Sequence, residues 1–207
     1  MRAAPNRTEL SPEEAARIQK AHLAHLTALG EKRWLVGAGP ITTPGSALRG
    51  ILVSKCDWVE QANELASADP AVVNKRLVVE SYGWTAPPGI GDRYWSEQAK
   101  TPKPPVKMQR HALALLTRSG KWTGWPAKEL LQAHFGHAGA LLAEGKVVSA
   151  GPFPASKTYL GAFVFAAGVP VDQARLLVEG DPLVAKGLAQ AEVYEWMVAE
   201  GVFPEAK

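Results

Sequence analysis

Residues 109–118 read QRHALALLTR, a short apolar stretch with partial alternation, and this pattern predicts a strand. Next, Trp125-Pro126 opens a predicted helix through AKELLQAHFGHAGALLAEG (127–145), a proline being tolerated in a first turn where no N–H is needed. KVVSAG (146–151) and YLGAFVFAA (159–167) predict two further strands around the proline-containing turn PFPASKT. VDQARLLVEG (171–180) reads as a short helix stopped by Gly180, and AQAEVYEW (189–196) as a closing strand. The order β-α-β-β-α-β is that of a split βαβ, or ferredoxin-like, unit with helices on one face of the sheet.

The same pattern occurs earlier. Displaced by 112 positions, the chain aligns with itself without a gap from His22 to Trp84, and 19 of those 63 positions are identical. His22 meets His134, His25 meets His137, Asp69-Pro70 meets Asp181-Pro182, and Tyr82 and Trp84 meet Tyr194 and Trp196. The first copy opens at SPEEAARIQKAHLAHLTAL, where Ser11 and Glu14 form a predicted capping box behind Pro12. Only MRAAPN precedes that cap, too short for a counterpart of QRHALALL, so the first copy is expected to lack its opening strand: either the unit is incomplete, or another segment covers its edge, or residues upstream of Met1 once supplied it. Between the copies, five prolines in TAPPGIGDRYWSEQAKTPKPPVK argue for an extended linker without regular elements. The expected organisation is therefore repeat 1 over 1–84, a Pro-rich linker over 85–107 and repeat 2 over 108–207.

A four-stranded sheet covered on one face needs a partner for the other. The fold expected is α+β: two ferredoxin-like repeats packed sheet to sheet as an intramolecular pseudo-dimer, open to further self-association, with space for a small-molecule ligand.

Composition narrows the classes. The net charge of +3 is scattered over 207 residues rather than gathered on one face, which argues against a nucleic-acid partner. No apolar run is long enough to span a bilayer, so no membrane partner is expected. Residues 1–14 lack a signal-peptide apolar region, and the default expectation is a cytoplasmic protein, with export as the alternative if a leader was trimmed upstream. The single cysteine, Cys56, ends an apolar run and reads as packing rather than as a nucleophile.

Each copy resembles the YCII-related (YciI-like) family of the dimeric α+β barrel superfamily. The likeness rests on AHLAHL or AHFGHA in a helix, AGP at 38–40 or 150–152, ADP or GDP at 68–70 or 180–182, and a last strand ending in Trp. It spans nearly all of both copies. The resemblance implies a barrel of two units and a pocket with a catalytic His and Asp, carried here by His134 with Asp181 and His22 with Asp69. Reactions of relatives include dehydrochlorination of a chlorinated hydroxyquinol, and the superfamily includes muconolactone isomerases and haem enzymes. Two glycines usual in relatives are kept as Gly145 and Gly187 but replaced by Arg33 and Lys75 in the first copy.

A carboxylate beside an imidazole fixes its tautomer and favours its protonated form, which suits general acid or base work. The expected activity is that of a small cofactor-independent lyase, isomerase or hydrolase acting on a small cyclic or aromatic acid, quinol or lactone. The alternative is a non-catalytic module binding a small molecule in the same cavity. His25 and His137 share a helix face with the first His of each copy and are placed at the substrate, as are Gly151, Pro152, Tyr194 and Trp196. Two His and one Asp would also suit a metal, but no metal and no cofactor is expected. For Gly151-Pro152 the plainer reading is a turn, and for Tyr194 and Trp196 it is packing.

Overall fold

The computed structural model of the chain describes residues 1–7, 9–102 and 104–205, and is α+β throughout. It divides into two compact units, Met1–Tyr82 and Gly83–Lys207.

In the first unit the elements are β1 (Arg2–Ala3), α1 (Pro12–Glu31), β2 (Leu35–Pro40), β3 (Gly50–Ser54), α2 (Val59–Ser67), α3 (Pro70–Val73) and β4 (Leu77–Val78). The capping box at the start of α1 is formed. Ser11 Oγ accepts from the Glu14 N–H and Glu14 Oε2 accepts from the Ser11 N–H, both at 3.2 Å. β2 and β3 form an antiparallel hairpin. The opening strand expected to be absent exists in short form: β1 pairs antiparallel with β4, and Arg2 also bridges Leu48 just ahead of β3. MRAAPN thus occupies a place between hairpin and closing strand, although no apolar periodicity marks it.

The second unit holds α4 (Asp92–Gln98), β5 (Met108–Arg118), α5 (Lys128–Ala143), β6 (Val147–Pro152), β7 (Tyr159–Phe165), α6 (Val171–Glu179), α7 (Pro182–Ala185) and β8 (Ala189–Ala199). Its four strands form one antiparallel sheet in the order β6-β7-β5-β8. Two expectations are corrected here. Pro126 lies before the N-cap Ala127 rather than in the first turn of α5. The segment read as a linker carries α4, because its prolines flank that helix instead of entering it, and Gly91 at φ +84° turns the chain into its start. Backbone bonds from Gly91 N to Val202 O (2.7 Å) and from Tyr94 N to Gly201 O (3.0 Å) fasten the segment to the end of β8.

Structural equivalence of the copies follows the sequence displacement closely. β2 and β6, α2 and α6, and α3 and α7 keep it at both ends, and β2 and β6 share a bulge at the same point. The gap-free alignment fails once. Ala38 faces Leu52 across its hairpin, whereas Ala150 faces Phe163, so β3 and β7 are offset by one residue from the rest. The extra residue sits in the longer first hairpin loop, and GILVS then lies on GAFVF. Backbone conformation is also shared where the residues differ. Gly145 (φ +66°) and Gly187 (φ +69°) match Arg33 (φ +59°) and Lys75 (φ +53°), so the first copy holds non-glycine residues in a left-handed conformation costing roughly 1–2 kcal/mol each.

Alternation decides which side chains of the second sheet face the helices. Ala112, Ala114 and Leu116 of β5, Phe163 and Phe165 of β7 and Val193 of β8 pack with Leu141 of α5 and Ala174 and Val178 of α6. The intervening residues point the other way. Among them is His111, 4 % exposed, whose Nδ1–H donates to Phe165 O at 2.8 Å and whose ring meets Phe203 edge-on. Burial pushes its pKa below the ordinary 6.5, outweighing that hydrogen bond, which acts in the opposite direction. The unfolded chain therefore binds this proton first. Its contribution to stability is fully present above pH 6.5 and is lost as pH falls below that value toward the folded pKa. The thermal midpoint is expected to fall more steeply on acidification in the wild type than in His111→Asn, which keeps an amide donor but no titratable ring; equal slopes would remove His111 from the acid response.

Candidate active site

Asp181 and Asp69 are fully buried, a costly place for a carboxylate unless both oxygens are satisfied. Local sequence meets half of that need. Each Asp is followed by Pro and serves as the N-cap of a one-turn helix: Asp181 Oδ1 accepts from the Leu183 N–H at 2.9 Å, and Asp69 Oδ1 from the Ala71 N–H at 2.7 Å. The preceding long helix meets the other half. Asp181 Oδ2 lies 2.6 Å from His134 Nδ1, and Asp69 Oδ2 lies 2.7 Å from His22 Nδ1. A carboxylate only accepts, so Nδ1 carries the hydrogen in both histidines. Nε2 of a neutral ring then keeps its lone pair, and neither Nε2 has a hydrogen-bond partner among the described residues.

The histidine side chains are 15 % and 16 % exposed in the second and first units. His134 also lies edge-on to buried Phe163, with ring centroids 6.4 Å apart, and beside Phe135 at 5.2 Å. Neither phenylalanine stands out as chemical in the sequence. Phe163 is concealed in an apolar strand, while Phe135 gives a faint signal as an aromatic residue next to a helix histidine.

The other expected site residues are arranged differently. His137 Nε2–H donates to Leu177 O at 3.0 Å and His25 Nε2–H to Leu65 O at 2.9 Å, tying α5 to α6 and α1 to α2. That nitrogen is turned to backbone rather than to the aspartate. Among the described residues no group of three or more His, Cys, Asp or Glu is placed to hold a metal ion. Gly151 and Pro152 lie inside β6, not in a turn, and the turn is made by the following residues, with Ser156 N donating to Phe153 O. Their carbonyls accept from Trp84 Nε1 and Thr85 N, both at 3.0 Å. Tyr194 and Trp196 alternate with Val193 and so lie on the sheet face away from the helices that carry His134. There Tyr194 OH donates to Glu192 Oε2 at 2.6 Å, and Trp196 packs edge-on to Phe203. The sheet stands between these two aromatic residues and the His–Asp pair.

Outside the pair, Cys56 has its thiol pushed up by burial and by the charge of Asp57, which disfavours the nucleophilic thiolate. Among the described residues no helix is long and apolar enough to cross a membrane. No family model and no curated protein matches the chain.

Proposed function

We propose that the protein is a small enzyme, needing no cofactor, in which His134 moves a proton and Asp181 orients it, on a small cyclic or aromatic acid, quinol or lactone. The observation that carries this reading is the pair itself: an imidazole held through Nδ1 by a fully buried, capped carboxylate, with Nε2 unbonded, built twice at nearly the same distance. His22 and Asp69 take the same roles in the first copy. The likeness to the YCII-related family supports the reading, and with it the ferredoxin-like form of both repeats and their pairing as an α+β barrel.

In this scheme the neutral ring takes a proton from an acidic C–H or O–H through Nε2. Asp181 stabilises the imidazolium that results and holds the ring in one orientation while the proton is returned or passed on. Positioned acid–base groups contribute about 10²–10⁴ in rate. The test is solvent-deuterium incorporation, followed by proton NMR, across small aromatic acids, hydroxyquinols and lactones. Wild type is expected to exchange at least one C–H catalytically, and His134→Gln to slow it by about 10²–10⁴. Exchange unaltered in both His134→Gln and the double variant with His22→Gln would refute the assignment.

A further inference from the structure

We infer that the two His–Asp pairs serve different ligands: the second copy takes a planar aromatic ring, seated against Phe135, and the first a non-aromatic one against Leu23. This inference rests on the proposed role of the pairs and assigns their ligand class.

The reactive group is the same in both copies, since the histidine-to-aspartate distances are 2.6 and 2.7 Å and the aspartates cap equivalent turns. What changes is the wall. His134 keeps 15 % of its side chain exposed while its Asp181 partner has none, and with Nδ1 of the ring bonded to that carboxylate its Nε2 carries no hydrogen bond among the described residues. Phe135 flanks that ring, tilted by 52°, and leaves 56 % of its own surface open to solvent. Phe163 closes the buried side. The equivalent residues of the first copy are Leu23, 53 % exposed, and Leu52, the cross-strand neighbour of Ala38 as Phe163 is of Ala150. Both aromatic positions beside the second histidine are thus leucine in the first copy.

Aromatic rings attract one another in offset or edge-on geometry beyond what buried area supplies, whereas leucine offers area alone. A ligand reaching Nε2 of His134 has an open π face beside it, whereas among the described residues no aromatic ring is in contact with His22. The resulting preference for a flat ring over a saturated one of the same size is about two- to tenfold.

Benzoate and cyclohexanecarboxylate share a carboxylate and differ in ring planarity, so they isolate this effect. Each would be titrated into the intact chain while the imidazole nitrogens are followed by NMR, with His134→Ala and His22→Ala assigning the signals. Benzoate is expected to bind at His134 several-fold more tightly than its saturated analogue, with no such preference at His22. Phe135→Leu should abolish the preference at His134, and Leu23→Phe should create one at His22. Both side chains are more than half exposed, so both variants should fold, which their unfolding midpoints would verify. A preference that survives Phe135→Leu, or no response of His134 to either probe at millimolar concentration, overturns the inference. It fails alone if deuterium exchange needs His134 while the preference ignores Phe135; the parent reading fails alone if benzoate binds against Phe135 while exchange ignores both histidines.

Discussion

Asp181→Ala is expected to destabilise the second unit by about 2–4 kcal/mol. Two losses add. The one-turn helix α7 loses its cap, worth about 1 kcal/mol, and the largely buried His134 Nδ1–H loses its acceptor, at about 1–3 kcal/mol. For a chain of this length the thermal midpoint should fall by roughly 5–15 °C. Asp181→Asn should cost less, because its single carbonyl oxygen can serve one of the two donors. Denaturant unfolding of both variants checks the order, and a cost below about 0.5 kcal/mol for the alanine variant would show that the pair contributes nothing to folding. The comparison also separates architecture from chemistry. If Asp181 positions a working base, Asp181→Asn should lower kcat far more than its small stability cost explains, with KM little changed.

Gly151→Ala is the second large effect. A methyl group there would lie 1.8 Å from Thr85 O, a backbone atom that cannot rotate aside. The 83–86 segment must move away, and the bonds from Trp84 Nε1 and Thr85 N to β6 go with it, for a cost of about 2–4 kcal/mol. Gly139→Ala makes the control. It lies in α5 with nothing within 4 Å of the new methyl group and should stabilise by up to about 1 kcal/mol. Denaturant melts of the two variants should therefore shift in opposite directions, and a Gly151→Ala curve superimposed on wild type would mean that the segment is not held there.

Much of this architecture was legible in local pattern. Alternation and capping signals located the long helices and all four strands of the second unit, because each element carries its own apolar face or cap. The repeat was legible for the same reason, matching His with His and Asp with Asp, but the pairing of each His with an Asp 47 residues away was implied by the family resemblance and not by local pattern. What escaped depended on tertiary contact. β1 is two residues long, and pairing with β4 rather than propensity makes it a strand. The helix α4 owes its placement to bonds with residues 201 and 202, over a hundred positions away. The one-residue slip at β3 was hidden because the loop gains a residue and the next connection loses one. For the candidate site, sequence supplied the partners but not the faces. Tyr194 and Trp196 were grouped with His134 by their position near a strand end, and strand alternation puts them on the opposite side of the sheet.

Trp84 closes the first repeat in sequence yet belongs structurally to the second unit, where it and Thr85 bond to β6. Any shortened version of the second repeat inherits a consequence. A fragment begun at Met108, where its first long strand starts, would leave the β6 edge bare, with the carbonyls of Gly151 and Pro152 open to another chain. Such a fragment would be prone to edge-to-edge aggregation, whereas one begun at Gly83 carries its own edge guard.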